Sequence, residues 1–128
     1  MQGNSITNSG LFSIESTSCA DLTIEENIIN QKDPGIAIQS VCLSGTIRNN
    51  EIYGADIGIQ LIDRTSAEIV GNIIDTDGVA LEVHEGVEPT LTGNELCGQN
   101  AIMAVLRGAT PLDLSSNTLC EDVPLVFD

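Results

Sequence analysis

Aromatic side chains are nearly absent: Trp does not occur, and one Tyr and two Phe make up 2% of the 128 residues. A platform of Trp rings for stacking sugars is therefore excluded. Cations are almost as scarce, with four Lys and Arg against 19 Asp and Glu and a net charge of −15. Nucleic acid and anionic membrane surfaces both need a basic face, so neither is expected as a partner. The same repulsion works against unaided binding of polyuronates. Calcium is the one cation that could bridge such like charges, since it takes hard oxygen ligands; no other cofactor is expected. No apolar run approaches the roughly 18 residues of a membrane-spanning helix, so no membrane insertion is expected. The patterns G-x-x-x-x-G-K-[ST], H-E-x-x-H and C-x-x-C are missing too, which removes support for nucleotide, zinc-protease and thioredoxin-type chemistry.

What the chain does have is a repeat. Ile69-Val70-Gly71-Asn72-Ile73-Ile74 is one copy of apolar, two residues, Asn, one residue, apolar. The Asn returns at Asn4, Asn27, Asn50, Asn72, Asn94 and Asn117, at spacings of 23, 23, 22, 22 and 23. Three residues before it stand Ile24, Ile47, Ile69, Leu91 and Leu114, and two after it Ile6, Ile29, Ile52, Ile74, Leu96 and Leu119. A period of this size marks a solenoid whose units cannot bury their apolar face alone. The interval from apolar to Asn to apolar is too short for a helix and reads as strand, tight corner, strand. Asn tolerates the left-handed backbone region, and its amide both donates and accepts, so six stacked copies are expected to form a ladder.

A later strand follows in each unit, as in Ile57-Gly58-Ile59-Gln60-Leu61, Val79-Ala80-Leu81-Glu82-Val83 and Ala101-Ile102-Met103-Ala104-Val105. Alternation at period two assigns Ile57/Ile59/Leu61, Val79/Leu81/Val83 and Ala101/Met103/Val105 inward. Three short strands per unit of about 22 residues make an all-β parallel β-helix of five to six coils.

On the N-x-[IL] corner and the later Gly-[IV]-x-[IV] strand, as in Gly35-Ile36-Ala37-Ile38, the chain resembles the right-handed parallel β-helix repeats of pectin-lyase-like proteins. That group includes carbohydrate-binding domains, sugar-cleaving domains and periplasmic NosD-like proteins. The resemblance covers nearly the whole chain and implies fold far more than chemistry. The spacing overlaps that of leucine-rich repeats as well, and Leu22 to Ile29 fits their core. There the leading Leu is replaced by Cys19, Cys42, Arg64, Gly86 and Ala109, and the second half of each unit has no helical period.

Residues 1–128 read as a single domain, with 120–128 expected to fold across the open C-terminal end as a cap. Met1-Gln2-Gly3-Asn4 starts almost on a corner without signal-peptide character, so the domain is expected to come from a longer protein. Cys19 and Cys42 each lie eight before a ladder Asn, and Cys97 and Cys120 each lie three after one. Each pair therefore stacks on adjacent coils about 4.8 Å apart, which predicts Cys19–Cys42 and Cys97–Cys120 disulfides and an extracellular, periplasmic or surface setting.

Function is less legible. Outward positions of the later strand form stripes: Gly58/Ala80/Ile102, Gln60/Glu82/Ala104 and Ile62/His84/Leu106, edged by Asp63/Glu85/Arg107. In pectin-lyase-like enzymes the substrate groove runs over the corresponding face. His84 beside Glu82, Glu85 and Asp63 could serve as general base, and Arg107 could neutralise a sugar carboxylate. A lone outward His on a repeat rod is, however, ordinary surface. Ile62, Ile102 and Leu106 would form a contiguous apolar patch, which points to an interface. The expectation is a non-catalytic scaffold or binding and adhesion module of a larger protein, with a polysaccharide or protein partner and self-association. The alternative is a polysaccharide lyase, hydrolase or C5-epimerase using that face.

Overall fold

The computed structural model describes residues 2–7, 12–17, 21–31, 35–41, 44–62, 66–84, 87, 89–98, 101–105, 115–120 and 125–127; at 12, 16, 17, 40, 41, 66, 101–105 and 125–127 it describes the backbone alone. The chain climbs in levels. The first holds β1 (Ser5–Thr7), β2 (Phe12–Thr17) and β3 (Asp21–Glu25), and the second β4 (Ile28–Asn30), β5 (Ile36–Val41) and β6 (Ser44–Arg48). The third holds β7 (Glu51–Gly54), β8 (Ile57–Leu61) and β9 (Ser66–Val70), and the fourth β10 (Ile73–Thr76), β11 (Val79–Val83) and β12 (Thr90–Thr92). Above them come β13 (Glu95–Gly98), β14 (Ala101–Val105), β15 (Thr118–Leu119) and β16 (Leu125–Phe127).

Each strand pairs in parallel with its counterpart one level away, giving three sheets among the described residues. Sheet I, just after the ladder Asn, runs β1-β4-β7-β10-β13-β15; sheet II runs β2-β5-β8-β11-β14-β16; sheet III, just before the Asn, runs β3-β6-β9-β12. This is the parallel β-helix that the repeat predicts. No helix occurs among the described residues, which disposes of the leucine-rich alternative.

The interior is filled by the residues flanking the Asn. Ile24, Ile47 and Ile69 from sheet III and Ile29, Ile52 and Leu96 from sheet I have no exposed surface. Ile38, Ile59 and Leu81 close the third side. Each such side chain contributes about 1.5–3 kcal/mol by leaving water. β-Branched residues suit the pleated wall of a narrow coil, which explains a core without rings.

The corner is a continuous amide ladder. Asn4, Asn27, Asn50, Asn72 and Asn94 each donate from Nδ2 to Oδ1 of the next ladder Asn, at 2.8–3.0 Å. The same Oδ1 also accepts the backbone N–H of the Asn below it, at 2.9–3.0 Å. The second Nδ2 hydrogen of Asn50, Asn72, Asn94 and Asn117 reaches back to the carbonyl of Ile24, Ile47, Ile69 or Leu91. Asn27, Asn50, Asn72 and Asn94 are at most 1% exposed, and this pairing is what makes their burial tolerable.

Two expectations about the corner and the strands need correction. The left-handed residue is not the Asn but the one before it: Gly3, Glu26, Asn49, Gly71 and Gly93 have φ of 65°, 57°, 55°, 66° and 66°. Freed of that duty, the Asn is selected for its amide. In sheet II, Gly58 and Ala80 do not form an outward stripe; both are buried. Register pairs run Val79↔Ile57 and Leu81↔Ile59, with no pair between them. There the second residue turns inward: a Cβ on Gly58 would sit 2.6 Å from Ile74 Cγ2 and 3.1 Å from Thr76 Cγ2. Side chains from sheet I occupy that space, so only Ala37, Gly58 and Ala80 fit it, and Ile57 and Val79 are left half-buried.

At the C-terminal end, Leu125–Phe127 does not cross the opening. It is the sixth strand of sheet II, in register Met103↔Leu125 and Val105↔Phe127. The segment keeps the 22-residue offset from β14, so it continues the hydrogen-bonded sheet. At the other end Ile14 faces the core, and Leu11 lies outside the described residues.

Substitutions at the corner should move stability in opposite directions. Asn72→Leu strands buried donors and acceptors above and below it and should cost about 3 kcal/mol or more. Glu26→Gly relieves a left-handed non-glycine residue and should gain about 1 kcal/mol. Urea midpoints for the two variants, at unchanged m-value, are the check.

Candidate functional site

Register stacking aligns Gln39 with Gln60 and Gln60 with Glu82 on the outer face of sheet II. Gln39 Nε2 donates to Gln60 Oε1 at 2.6 Å, and Gln60 Nε2 donates to Glu82 Oε1 at 2.8 Å. His84 Nε2 lies 2.6 Å from the same Glu82 oxygen, with side chains 31% and 16% exposed. With its proton on Nε2 the imidazole donates to Glu82, leaving Nδ1 as the ring's acceptor. The structure thus brings together His84 and Glu82, two of the five residues considered for catalysis. Asp63, Glu85 and Arg107 lie outside the described residues.

Of the apolar patch, Ile62 is half-buried; Leu106 and the side chain of Ile102 lie outside the described residues. The large hydrophobic side chains that are exposed among those described are Ile28 and Ile73, at 42% and 36%, on sheet I. Glu51 stands between them in register, so they do not form one patch.

Sheet III carries a feature not singled out from the sequence. A shallow groove of about 310 Å³ is lined by Asp21, Ser44, Gly45, Thr46, Ala67, Glu68 and Thr90. Its floor is low because Gly45 and Ala67 stack in register; a Cβ on Gly45 would meet the Leu22 carbonyl oxygen at 3.1 Å. Its walls are hydroxyls and carboxylates, with Ser44 Oγ donating to Asp21 Oδ1 at 3.2 Å. Beyond Thr90 a second hollow of about 240 Å³ continues over Pro89, Leu91, Thr92 and Ser116. Alongside, Arg48 pairs with Glu25 through Nη2 at 2.5 Å and Nε at 2.6 Å. The signal was present: Thr23, Thr46, Glu68 and Thr90 recur at the ladder period and stack in one column.

Of the predicted disulfides, Cys97–Cys120 is formed, with Cα atoms 5.1 Å apart. Cys19 and Cys42 lie outside the described residues. Among the described residues no three His, Cys, Asp or Glu side chains are grouped to hold a metal ion.

Sheet I bears one perturbed group. Tyr53 donates its phenol to Glu51 Oε1 at 2.8 Å. That hydrogen bond, then desolvation, then the charges of Glu51, Asp75 and Glu95 raise its pKa above the usual value of 10.0. A folded pKa above the unfolded one means that the stabilisation is complete below the unfolded value and is lost as pH rises through the folded one. Since this is the only Tyr and Trp is absent, alkaline difference absorbance reads it alone. The native midpoint should exceed that of the urea-unfolded chain, and Glu51→Gln should narrow the gap, leaving the part due to desolvation and to the charges of Asp75 and Glu95.

The family model for the right-handed beta helix region matches residues 1–119. No curated protein and no solved structure gives a match. With stacked parallel sheets, a six-residue Asn ladder and this match over most of its length, the chain belongs to the right-handed parallel β-helix family.

Proposed function

We propose that this chain is a non-catalytic binding or scaffold module of a larger secreted or surface protein, taking a hydroxyl-rich ligand along sheet III. The groove bounded by Asp21, Ser44, Thr46, Glu68 and Thr90 carries this reading. Parallel stacking repeats its polar groups about every 4.8 Å, so a carbohydrate chain laid along the axis meets hydroxyls and carboxylates in succession. The groove offers no aromatic ring, so recognition is by hydrogen bonds, weak per site and strengthened by length. Its carboxylates favour neutral or amino sugars over uronates, which would need calcium to bridge them. The Cys97–Cys120 bond supports an oxidising setting.

A specific observation favours a second reading: the 2.6 Å contact between His84 and Glu82 is the geometry of an oriented general base. One experiment separates the two. Neutral, amino-sugar and uronate polysaccharides are titrated calorimetrically, with and without calcium, and the same mixtures are assayed for cleavage or epimerisation. Binding without turnover, lost in Thr46→Arg and kept in His84→Ala, is expected. Turnover that disappears in His84→Ala would move the assignment to the enzyme.

The module is also proposed to self-associate. Ile6, Leu22 and Leu119, at the first and last described levels, are only partly buried against the core. The interior counterparts of Ile6 and Leu119, namely Ile29, Ile52 and Leu96, are fully covered. The charge of −15 opposes contact at low salt. A dimer or larger species is expected by light scattering once salt exceeds about 0.1 M, where the Debye length is near 10 Å. A strict monomer at high protein concentration would rule it out.

A further inference from the structure

We propose that the Cys97–Cys120 disulfide is a redox-operated clasp that holds the step between β13 and β15 closed, independently of any ligand on sheet III. The step is the weakest in sheet I. Only Thr118 and Leu119 pair with β13, opposite Glu95 and Leu96. Elsewhere in that sheet three or four residues pair, as in Ile73↔Glu51 through Thr76↔Gly54. The interior levels are also sealed by fully buried Ile29, Ile52 and Leu96, whereas Leu119 is only partly buried. Noncovalent contacts that suffice between interior levels are thus thinned here, and here a covalent bond has been added. The bond joins the end of β13 to the residue just after β15, next to the hydrogen bond from the Cys120 amide to the Leu96 carbonyl.

The clasp can be operated because it faces outward. Cys97 occupies the outer column of sheet I beside Asp75, and both cysteines are half-buried, within reach of a small reductant. The step is a thiol–disulfide exchange. A thiolate of a dithiol reductant attacks one sulfur, forming a mixed disulfide and releasing the other cysteine. The reductant's second thiol then displaces the remaining cysteine. Cys97 and Cys120 end as thiols, each having gained a proton, and the reductant ends as its disulfide, having given up two electrons. Closing a loop of this size is worth on the order of a hundredfold in the local opening equilibrium. Its loss would free β15, uncover Leu96 and leave β13 as a parallel edge able to pair with another strand.

Peptide-resolved hydrogen exchange on the intact chain, air-oxidised or reduced with dithiothreitol, tests this. On reduction, amides in 95–98 and 115–120 should exchange at least about tenfold faster, a conservative fraction of the loop-closure effect. Those in 47–54 and 69–76 should keep their rates, and re-oxidation should restore the original pattern. Cys97→Ser with Cys120→Ser should reproduce the reduced pattern without reductant. Unchanged exchange at 115–120 would overturn the clasp, and so would acceleration through 47–76 in Cys97→Ser with Cys120→Ser, where any Cys19–Cys42 bond is untouched, since the bond would then govern the whole fold. Should the double variant fail to fold, the oxidised and reduced wild-type chain still decides.

Discussion

Everything in this molecule depends on register. A parallel β-helix stacks equivalent residues directly above one another, so a slip of one residue would turn every inward side chain outward. The Asn ladder is the device that forbids the slip. From Asn27 to Asn117 each Oδ1 takes two donors from the level below, and Nδ2 of Asn50, Asn72 and Asn94 bridges to the levels above and below. Moving one level by a single position would strand several buried polar groups at once, whereas slipped apolar side chains would find other apolar neighbours. Packing supplies most of the free energy of folding, and the ladder selects which of the near-degenerate stackings is occupied.

The same logic places the candidate sites. The hollows lined by described residues are open to solvent, so the chemistry they offer is written on the outer faces in columns. The column Gln39, Gln60 and Glu82 ends in His84, and the groove of sheet III is a column of Thr and Glu over a floor of Gly and Ala. The Gln39, Gln60 and Glu82 column and the sheet III groove owe their geometry to in-register pairing, and His84 follows directly after β11.

Much of this was legible in the residue spacing. The Asn positions and their flanking Ile and Leu gave the ladder, the core and the stacking of Cys97 on Cys120, because each follows from a period and a strand spacing. Three things were not legible. The left-handed position falls one residue before the Asn, where Gly3, Gly71 and Gly93 carry the signal and Glu26 and Asn49 obscure it. The burial of Gly58 and Ala80 depends on side chains reaching across from sheet I, which strict alternation along one strand cannot reveal. The strand Leu125–Phe127 is indistinguishable from a cap in sequence, because apolar residues at the end of a repeat array serve equally well as cover or as one more strand.

In-register stacking also governs how so acidic a chain tolerates itself. Two carboxylates on adjacent levels would face each other at about 4.8 Å, a repulsion near 1 kcal/mol even in water. None of the described strand columns places two there. Glu51 and Glu95 are separated by Ile73, Glu15 and Glu82 by two glutamines, and Glu68 is flanked by Thr46 and Thr90. Glu25 is stacked between Gln2 and Arg48, neither of them acidic. Skipping a level doubles the separation to about 10 Å, close to the distance at which physiological salt screens the interaction. The acidity is thus interleaved along each column, and the exposed Ile73 acts as insulation between Glu51 and Glu95.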